Sequence, residues 1–425
     1  MKLALSLGFL TAANAILTLL TNWYILTTVG AGEHTDAYYA AMAVPQFILA
    51  VIGGALATVL IPILAGESEV EFKKQAWSFF WFVAISYSAL AVLLSLSAFL
   101  WGPLLVAGSS ETTQSLMVKL TDIQLIGMVF SALAGLLAAV GNARSRFLWV
   151  GTTPLIAALV SLSILIWGLP RYGITIAVWS TVVRGFVHMA LLLPFLGSFR
   201  GLENNRYGLR LTWERLKPPL CATTYSKSGP LVDRFISSML PPGGLSLFYL
   251  AFAAHSVGND MIYKTLTIPM LALLANHAKR SNQQDFQRVY RKRLRWVSLL
   301  TGAAVLAVVF AGEPVLRLAI GRNLSADKVR LLWVTLCAMG GFLVGGAIGQ
   351  ISAAAFYATG DTKTPTKVGI LGFTLGSALK IIGLVKFGLI GMAVATSLHQ
   401  CFNALVLHVL LKRKRHQAFA PVLSG

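Results

Sequence analysis

Eight ionisable side chains stand inside long apolar stretches of this chain: Asp122, Arg184, Lys227, Asp233, Arg234, Asp260, Lys264 and Lys380. An ionisable group in hydrocarbon costs at least ~2.5–3.5 kcal/mol, so such groups face a water-filled path or a partner. Lys227 and Arg234 are seven residues apart, two helical turns, with Thr224, Tyr225, Ser226 and Ser228 supplying hydroxyls around them. Two cations on one helix face among hydroxyls suit an anion such as a phosphate or pyrophosphate. The alternative is internal neutralisation by Asp233, Asp260 or Asp122. Asp260 and Lys264 stand at i and i+4 with the acid first, which predicts an ion pair along their own helix. Asp122 is a candidate cation or proton site, with pairing to Arg184 as the alternative. His188, His255 and His399 are candidate proton relays or hydrogen-bonded interface residues.

Other chemistries lack their residues. There is no Walker A sequence, Gly-rich dinucleotide loop, HExxH or nucleophile elbow, so the chain is expected not to be an enzyme. Cys221, Cys337 and Cys401 have no metal-ligand spacing and are expected to be small packing residues. No cofactor is expected. Transport by such a chain would draw on a monovalent cation or the membrane potential, with Asp122 and Asp260 as coupling candidates.

The elements that hold these groups are apolar and long. Hydrophobic residues make up 56% of the 425 and charged residues 12%, against a usual soluble share of about 25% charged. Candidate spans are 3–29, 37–65, 77–106, 118–141, 147–169, 173–197, 216–239, 243–277, 296–320, 329–357, 366–386 and 388–411. Most reach the ~20 apolar residues that cross a bilayer as a helix. None shows the short alternating segments of a membrane β-barrel. The expected fold is an all-α multi-pass membrane protein of about 12 helices.

Its 35 bases outnumber 15 acids. Their positions argue for a membrane rather than a nucleic acid. Twenty-three fall in every second gap, including Lys73, Lys74, Arg144, Arg146, Arg200, Arg206, Arg210, Arg215, Lys217, the run Lys279–Arg295 and Lys412–Arg415. Five fall in the alternate gaps: Arg171, Arg322, Lys328, Arg330 and Lys386. Positive-inside bias then puts both termini in the cytoplasm. It also decides residues 216–239, which carry three prolines and four charges. Were they a loop, the seven bases of 279–295 would face outward, so this polar segment is expected to cross. The run 279–295 reads as a topology determinant, with anionic lipid binding as the alternative. The N-terminus resembles a signal peptide ending at Ala13-Asn14-Ala15, but a single n-region base and apolar sequence through Val29 predict its retention as the first helix.

The chain also repeats. Spans 5–6 and 11–12 each have a Gly-containing helix, a very short turn with an aromatic–Gly pair (Tyr172-Gly173, Phe387-Gly388) and a small-residue-rich helix. Spans 2 and 8 match loosely through Tyr38-Tyr39 and Phe248-Tyr249. The expected organisation is two six-helix lobes, 1–197 and 216–411, a basic linker 198–215 and a tail 412–425. Six is even, so the lobes have parallel topology, a design suited to rocking about a central cavity.

Three segments carry a family resemblance: GAGEHTDAYYAAMAVPQFILAVIGGALATVLIPILA (30–65), VDRFISSMLPPGGLSLFYLAF (232–252) and AAAFYATGDTKTPTKVGI (353–370). Together the chain resembles the MurJ/MviN flippases of the multidrug/oligosaccharidyl-lipid/polysaccharide exporter superfamily. The resemblance implies an alternating-access flippase for an undecaprenyl-pyrophosphate-linked glycan, lipid II or a related precursor, in the bacterial inner membrane. It implies membrane lipid and the lipid-linked glycan as partners, possible glycan-assembly enzymes and no nucleic acid. It adds Asp36, the acid of the TDA motif, to the cavity candidates Lys227, Asp233, Arg234, Lys264 and Arg184. The family usually has arginines in helix 1 and on the cavity side of helix 2, where this chain reads ILTTVGAG and PQFILAV. It commonly carries two further C-terminal helices beyond the part matched by span 12. The competing readings are a cation-coupled exporter of small amphipathic molecules and a non-transporting scaffold for glycan assembly.

Overall fold

A computed structural model describes residues 2–53, 60, 64, 68–198, 224–225, 227–280, 282–321 and 324–418. Nearly all of the linker 198–215, Cys221, Ser226 and Arg322 lie outside the described residues. Among those described, the chain is helical with no strand. Among the described residues, nine helical segments are long and apolar enough to cross a membrane.

The first 198 residues form α1 (Lys2–Val29), α2 (Glu33–Ala41), α3 (Ala43–Ile48), α4 (Glu69–Leu96), α5 (Ala98–Leu105), α6 (Glu111–Ala143), α7 (Phe147–Tyr172) and α8 (Ile174–Leu192). Local chemistry marks their ends. The Ser68 hydroxyl accepts the Glu71 amide at the start of α4, and the Ser110 hydroxyl accepts the Thr113 amide at the start of α6. Glu69, Glu71 and Glu111 lie in those first turns, where the helix dipole favours negative charge. α3 runs into a π-helical turn at Leu49–Gly53.

The chain continues with α9 (Gly229–Ser237), α10 (Gly244–Ile262), α11 (Ile268–Lys279), α12 (Gln283–Ile320), α13 (Ala326–Ala338), α14 (Gly340–Ala358) and α15 (Lys363–Ala418). A second π-helical turn, Tyr263–Thr267, joins α10 to α11. α15 is two helices joined at Gly388, whose φ is 61° and ψ −141°. Gly173, between α7 and α8, has φ 63° and ψ −158°. The aromatic–Gly pairs of the repeat thus make the same backbone turn, in a region essentially restricted to glycine.

Contacts divide the chain into two compact units, Met1–Ser246 and Leu247–Gly425. In the first, α6 lies against α2, α4 and α8, and α7 against α1 and α8. Its core joins Phe79, Tyr87, Leu125, Leu136 and Leu196. In the second, α14 lies against α12 and both halves of α15 form its main neighbour, around Met270, Tyr290, Ile351 and Phe356. Large apolar side chains also point outward: Leu318 is 89% exposed, Phe310 80% and Val385 75%. Apolar surface on both sides of a helix is what a lipid-embedded bundle requires.

One end of the first unit gathers predicted cytoplasmic groups. Glu69 pairs with Lys73 at 3.1 Å and Arg144 at 2.9 Å, and Trp77 donates to the Ser198 carbonyl. Its other end gathers turns from the alternate gaps. There Ser110 donates to Glu33, and Gly108 lies against the backbone of Met239 just beyond α9.

The expectation that 279–295 is mainly a gap needs correction. Asn282 caps the Asp285 amide, and α12 runs unbroken from Gln283 through 38 residues. At 1.5 Å per residue that is roughly 57 Å, well beyond ~30 Å of hydrocarbon. Arg288–Arg295 therefore sit on a polar extension of the spanning helix. Hydropathy marks where a helix is apolar, not where it begins.

Candidate functional site

Arg234 lies on α9 with only 5% of its surface exposed. Its Nη2 donates to Gln46 Oε1 on α3 at 2.6 Å. Asp233 beside it is also buried, at 7% exposure. Lys227 is exposed, so Lys227 and Arg234 do not share one environment as the seven-residue spacing suggested. Pro230 has no amide to donate, and the helix is interrupted by a turn at Ser228 before α9 proper.

Arg184 on α8 is half-buried. Its Nη2 donates to Asn14 Oδ1 at 3.0 Å and to Thr18 Oγ1 at 3.4 Å, both on α1. The alternative pairing with Asp122 does not form. Asp122 is exposed on α6 and accepts the Ser95 hydroxyl at 2.7 Å from α4. The first unit therefore places one guanidinium against α1, at Asn14 and Thr18, and another against α3, at Gln46 within the base-free PQFILAV stretch. Asn14 and Thr18 hold the Arg184 guanidinium with neutral dipoles, an arrangement that leaves its positive charge available to an anion, and Gln46 orients Arg234.

Asp36 has a different setting. It is 6% exposed, and its carboxylate accepts the backbone amides of Gly243 at 2.6 Å and Ser246 at 2.8 Å, together with the Ser246 hydroxyl. Thr35 shares the Ser246 hydroxyl at 2.9 Å and bonds the turn at Gly30 and Gly32. The acid caps the first turn of α10, where unpaired amides and the helix dipole favour an anion.

In the second unit the predicted Asp260–Lys264 ion pair is absent. Both side chains are exposed, and the π-helical turn beginning at Tyr263 alters the i to i+4 geometry that the prediction assumed. Asp260 instead lines a cavity between α10, α14 and α15. Lys380 is buried on α15. His255 bonds the Leu336 carbonyl at 2.9 Å, an interface role, and His399 bonds Asn403 of its own helix at 2.9 Å. His188, on the same helix as Arg184, has a buried Nε2 without a hydrogen-bond partner. Cys401 packs against the backbone of Gly341 and Gly345, as expected of a small residue at a helix contact.

The neutral amides Asn14, Gln46, Asn259, Gln350 and Asn403 were not among the sequence candidates. Their signal was present: a carboxamide within an apolar span also needs a partner.

A family model described as "Lipid II flippase MurJ" matches residues 25–423. The chain is 23% identical over 450 residues to a probable lipid II flippase MurJ of Vibrio cholerae, covering 96% of this chain and 82% of that protein. It is also 23% identical to the lipid II flippase MurJ of Burkholderia cenocepacia, covering 92% of this chain and 79% of the relative. A solved lipid II flippase MurJ in an inward closed conformation is similar in fold at a TM-score of 0.85 and 21% identity, covering 96% of this chain and 87% of that one. An inward-facing multidrug resistance MATE family transporter matches at 0.77 and 14% identity, covering 100% and 99%. With its whole helical body matched from the TDA segment onward, this chain belongs to the lipid II flippase MurJ family.

Proposed function

We propose that this chain is a flippase that carries lipid II, or a closely related undecaprenyl-pyrophosphate-linked glycan, across the bacterial inner membrane. In this reading twelve helices cross the membrane, both termini are cytoplasmic, and the headgroup site opens to each side in turn. The observation that carries it is the pair Arg184 and Arg234. Two guanidinium groups lie within one unit, each bonded to a neutral amide on another helix, Asn14 of α1 and Gln46 of α3. Arg forks match phosphate oxygens in geometry and stay charged when desolvated. A pyrophosphate would supply a counter-charge to Arg184, which its neutral partners Asn14 and Thr18 do not.

The test is replacement of a host's essential flippase with this chain, followed by measurement of lipid II accumulating on the cytoplasmic leaflet. Wild type should prevent accumulation. Arg184→Ala and Arg234→Ala, at normal expression, should each allow it. Full activity of the double variant would remove the anion site, and silent cavity substitutions alongside damaging loop substitutions would favour a scaffold.

A further inference from the structure

The run Lys279–Arg295 holds seven bases, and Asp285 is the one acid between Lys279 and Gly312. Asp285 lies 3.4 Å from Arg288, whereas Arg291, Lys292, Arg293 and Arg295 have no acid within ion-pair distance among the described residues. The polar extension of α12 sorts these groups by face. Arg288, Arg291, Lys292 and Arg295 line an open bay of about 730 Å³ along one side of the helix. The adjoining face carries Val289, Arg293, Trp296 and Leu300, at steps of four, three and four residues. Across a cleft of about 510 Å³ it meets Leu266 of the second π-helical turn and Leu273 of α11. Lys292 and Trp296 line both spaces, so the basic bay opens directly into the apolar cleft. Leu273, Trp296 and Leu300 are 44%, 60% and 55% exposed, so the described chain leaves that cleft unfilled.

We propose that this place binds one anionic phospholipid, with its phosphate on Arg291, Lys292 and Arg295 and an acyl chain in the cleft between α11 and α12. Orienting a spanning helix requires bases on one side of the membrane, not bases that adjoin an apolar cleft. A soluble acidic protein or a free anion would engage the bases and leave the cleft empty, whereas a lipid fills both. The stems of Lys292 and Arg293 are apolar and lie along such a cleft while their charged ends stay with the headgroup. An indole at the junction, Trp296, suits the boundary between headgroup and hydrocarbon. Each base near an anionic membrane surface strengthens the attraction about fivefold. The cleft adds what a diffuse attraction lacks, a fixed position for one chain. None of these residues belongs to the anion site of the first unit, and the proposal stands whatever substrate the protein carries.

The probe is palmitoyl-oleoyl-phosphatidylglycerol, titrated into the purified full chain in neutral detergent, with phosphatidylcholine of the same chains as the reference. Native mass spectrometry counts the bound lipid. One phosphatidylglycerol should be retained in preference to phosphatidylcholine. Glycerol 3-phosphate, the anion without the chain, should not displace it at equal concentration. Lys292→Gln/Arg295→Gln should weaken retention at least about tenfold. Lys279→Gln/Arg280→Gln removes the same charge outside the bay and the cleft, and should leave retention unchanged. Leu273→Trp fills the cleft with every base in place and should also weaken retention. Should Leu273→Trp fail to fold, Leu300→Trp replaces it. The proposal is overturned if wild type shows no preference for phosphatidylglycerol, or if the two double neutralisations weaken retention equally, which would mean diffuse attraction. It is equally overturned if the folded cleft-filling variant retains the lipid as wild type does, which would leave the bases to a soluble acidic partner.

Discussion

Asp36 and Ser246 are 210 residues apart in sequence, yet the Asp36 carboxylate takes both the backbone amide and the hydroxyl of Ser246. The Gly243 amide adds a third donor. That glycine has φ +91° and lies so close to Ala31 that a Cβ would stand 2.8 Å from its carbonyl oxygen. The TDA segment and the Pro-Pro-Gly-Gly turn, two places where the chain resembles its family, are therefore one structural joint.

Removing the acid should accordingly lower stability before it touches transport. A hydrogen bond to a charged group contributes about 1.5–3 kcal/mol, and a neutral one about 1 kcal/mol. Asp36→Ala should lose at least about 3 kcal/mol, and Asp36→Asn less, since its remaining oxygen still accepts. Ser246→Ala should lose about 1 kcal/mol. Thermal unfolding in detergent should rank the three in that order. An Asp36→Ala protein with wild-type stability but no flipping would reassign the acid to substrate contact.

Gly173 and Gly388 provide a matched pair. Both adopt the same positive-φ turn at equivalent places in the repeat, and no atom lies within 4 Å of a Cβ added at either. Any penalty on substitution is therefore backbone strain rather than a clash. Gly173→Ala and Gly388→Ala should each cost ~1–3 kcal/mol and by similar amounts. A thermal midpoint unchanged by either would mean that the turn relaxes, and that the shared geometry is incidental.

The repeat was legible because its signal is local: an aromatic–Gly pair between two apolar runs already specifies a sharp turn. The caps at Ser68, Ser110 and Asn282 are equally local, a signal that the sequence reading did not use. Asp36 was singled out only through a motif, and nothing local to it says that its partners lie beyond residue 240. Asp260 and Lys264 misled for the opposite reason. Their spacing is a sound rule for an α-helix, and a single π-helical turn, invisible in composition, removes its premise. Attention to formal charge also passed over Gln46 and Asn14, although a guanidinium can be positioned by an amide as firmly as by a carboxylate.

The Arg184–Asn14 contact can be tested as a positioning device. Asn14→Leu removes the acceptor while leaving the guanidinium in place, so the cation should lose its aim but keep its charge. Inner-leaflet lipid II should rise less than in Arg184→Ala. In the double variant Asn14→Leu should add little further, because its effect runs through Arg184. Additive losses in that cycle would show that Asn14 acts independently of the arginine.

Two glycines on α14 should respond oppositely to enlargement. A Cβ on Gly345 would lie 2.6 Å from the backbone of Gln400 and Cys401, whereas one on Gly349 would meet only Ala404, at 3.9 Å. Both face the second half of α15, but Gly345 is buried and Gly349 only half-buried. Small residues let membrane helices approach until backbone touches backbone, and only Gly345 is at that limit. Gly345→Ala forces the helices apart, and overpacking of this kind costs ~1–3 kcal/mol. Gly349→Ala meets ordinary contact distance and gains up to about 1 kcal/mol of helix propensity. Thermal midpoints should thus fall for the first and hold or rise for the second. Equal losses at both positions would mean that α14 and α15 are more closely apposed along their whole length than the structure shows.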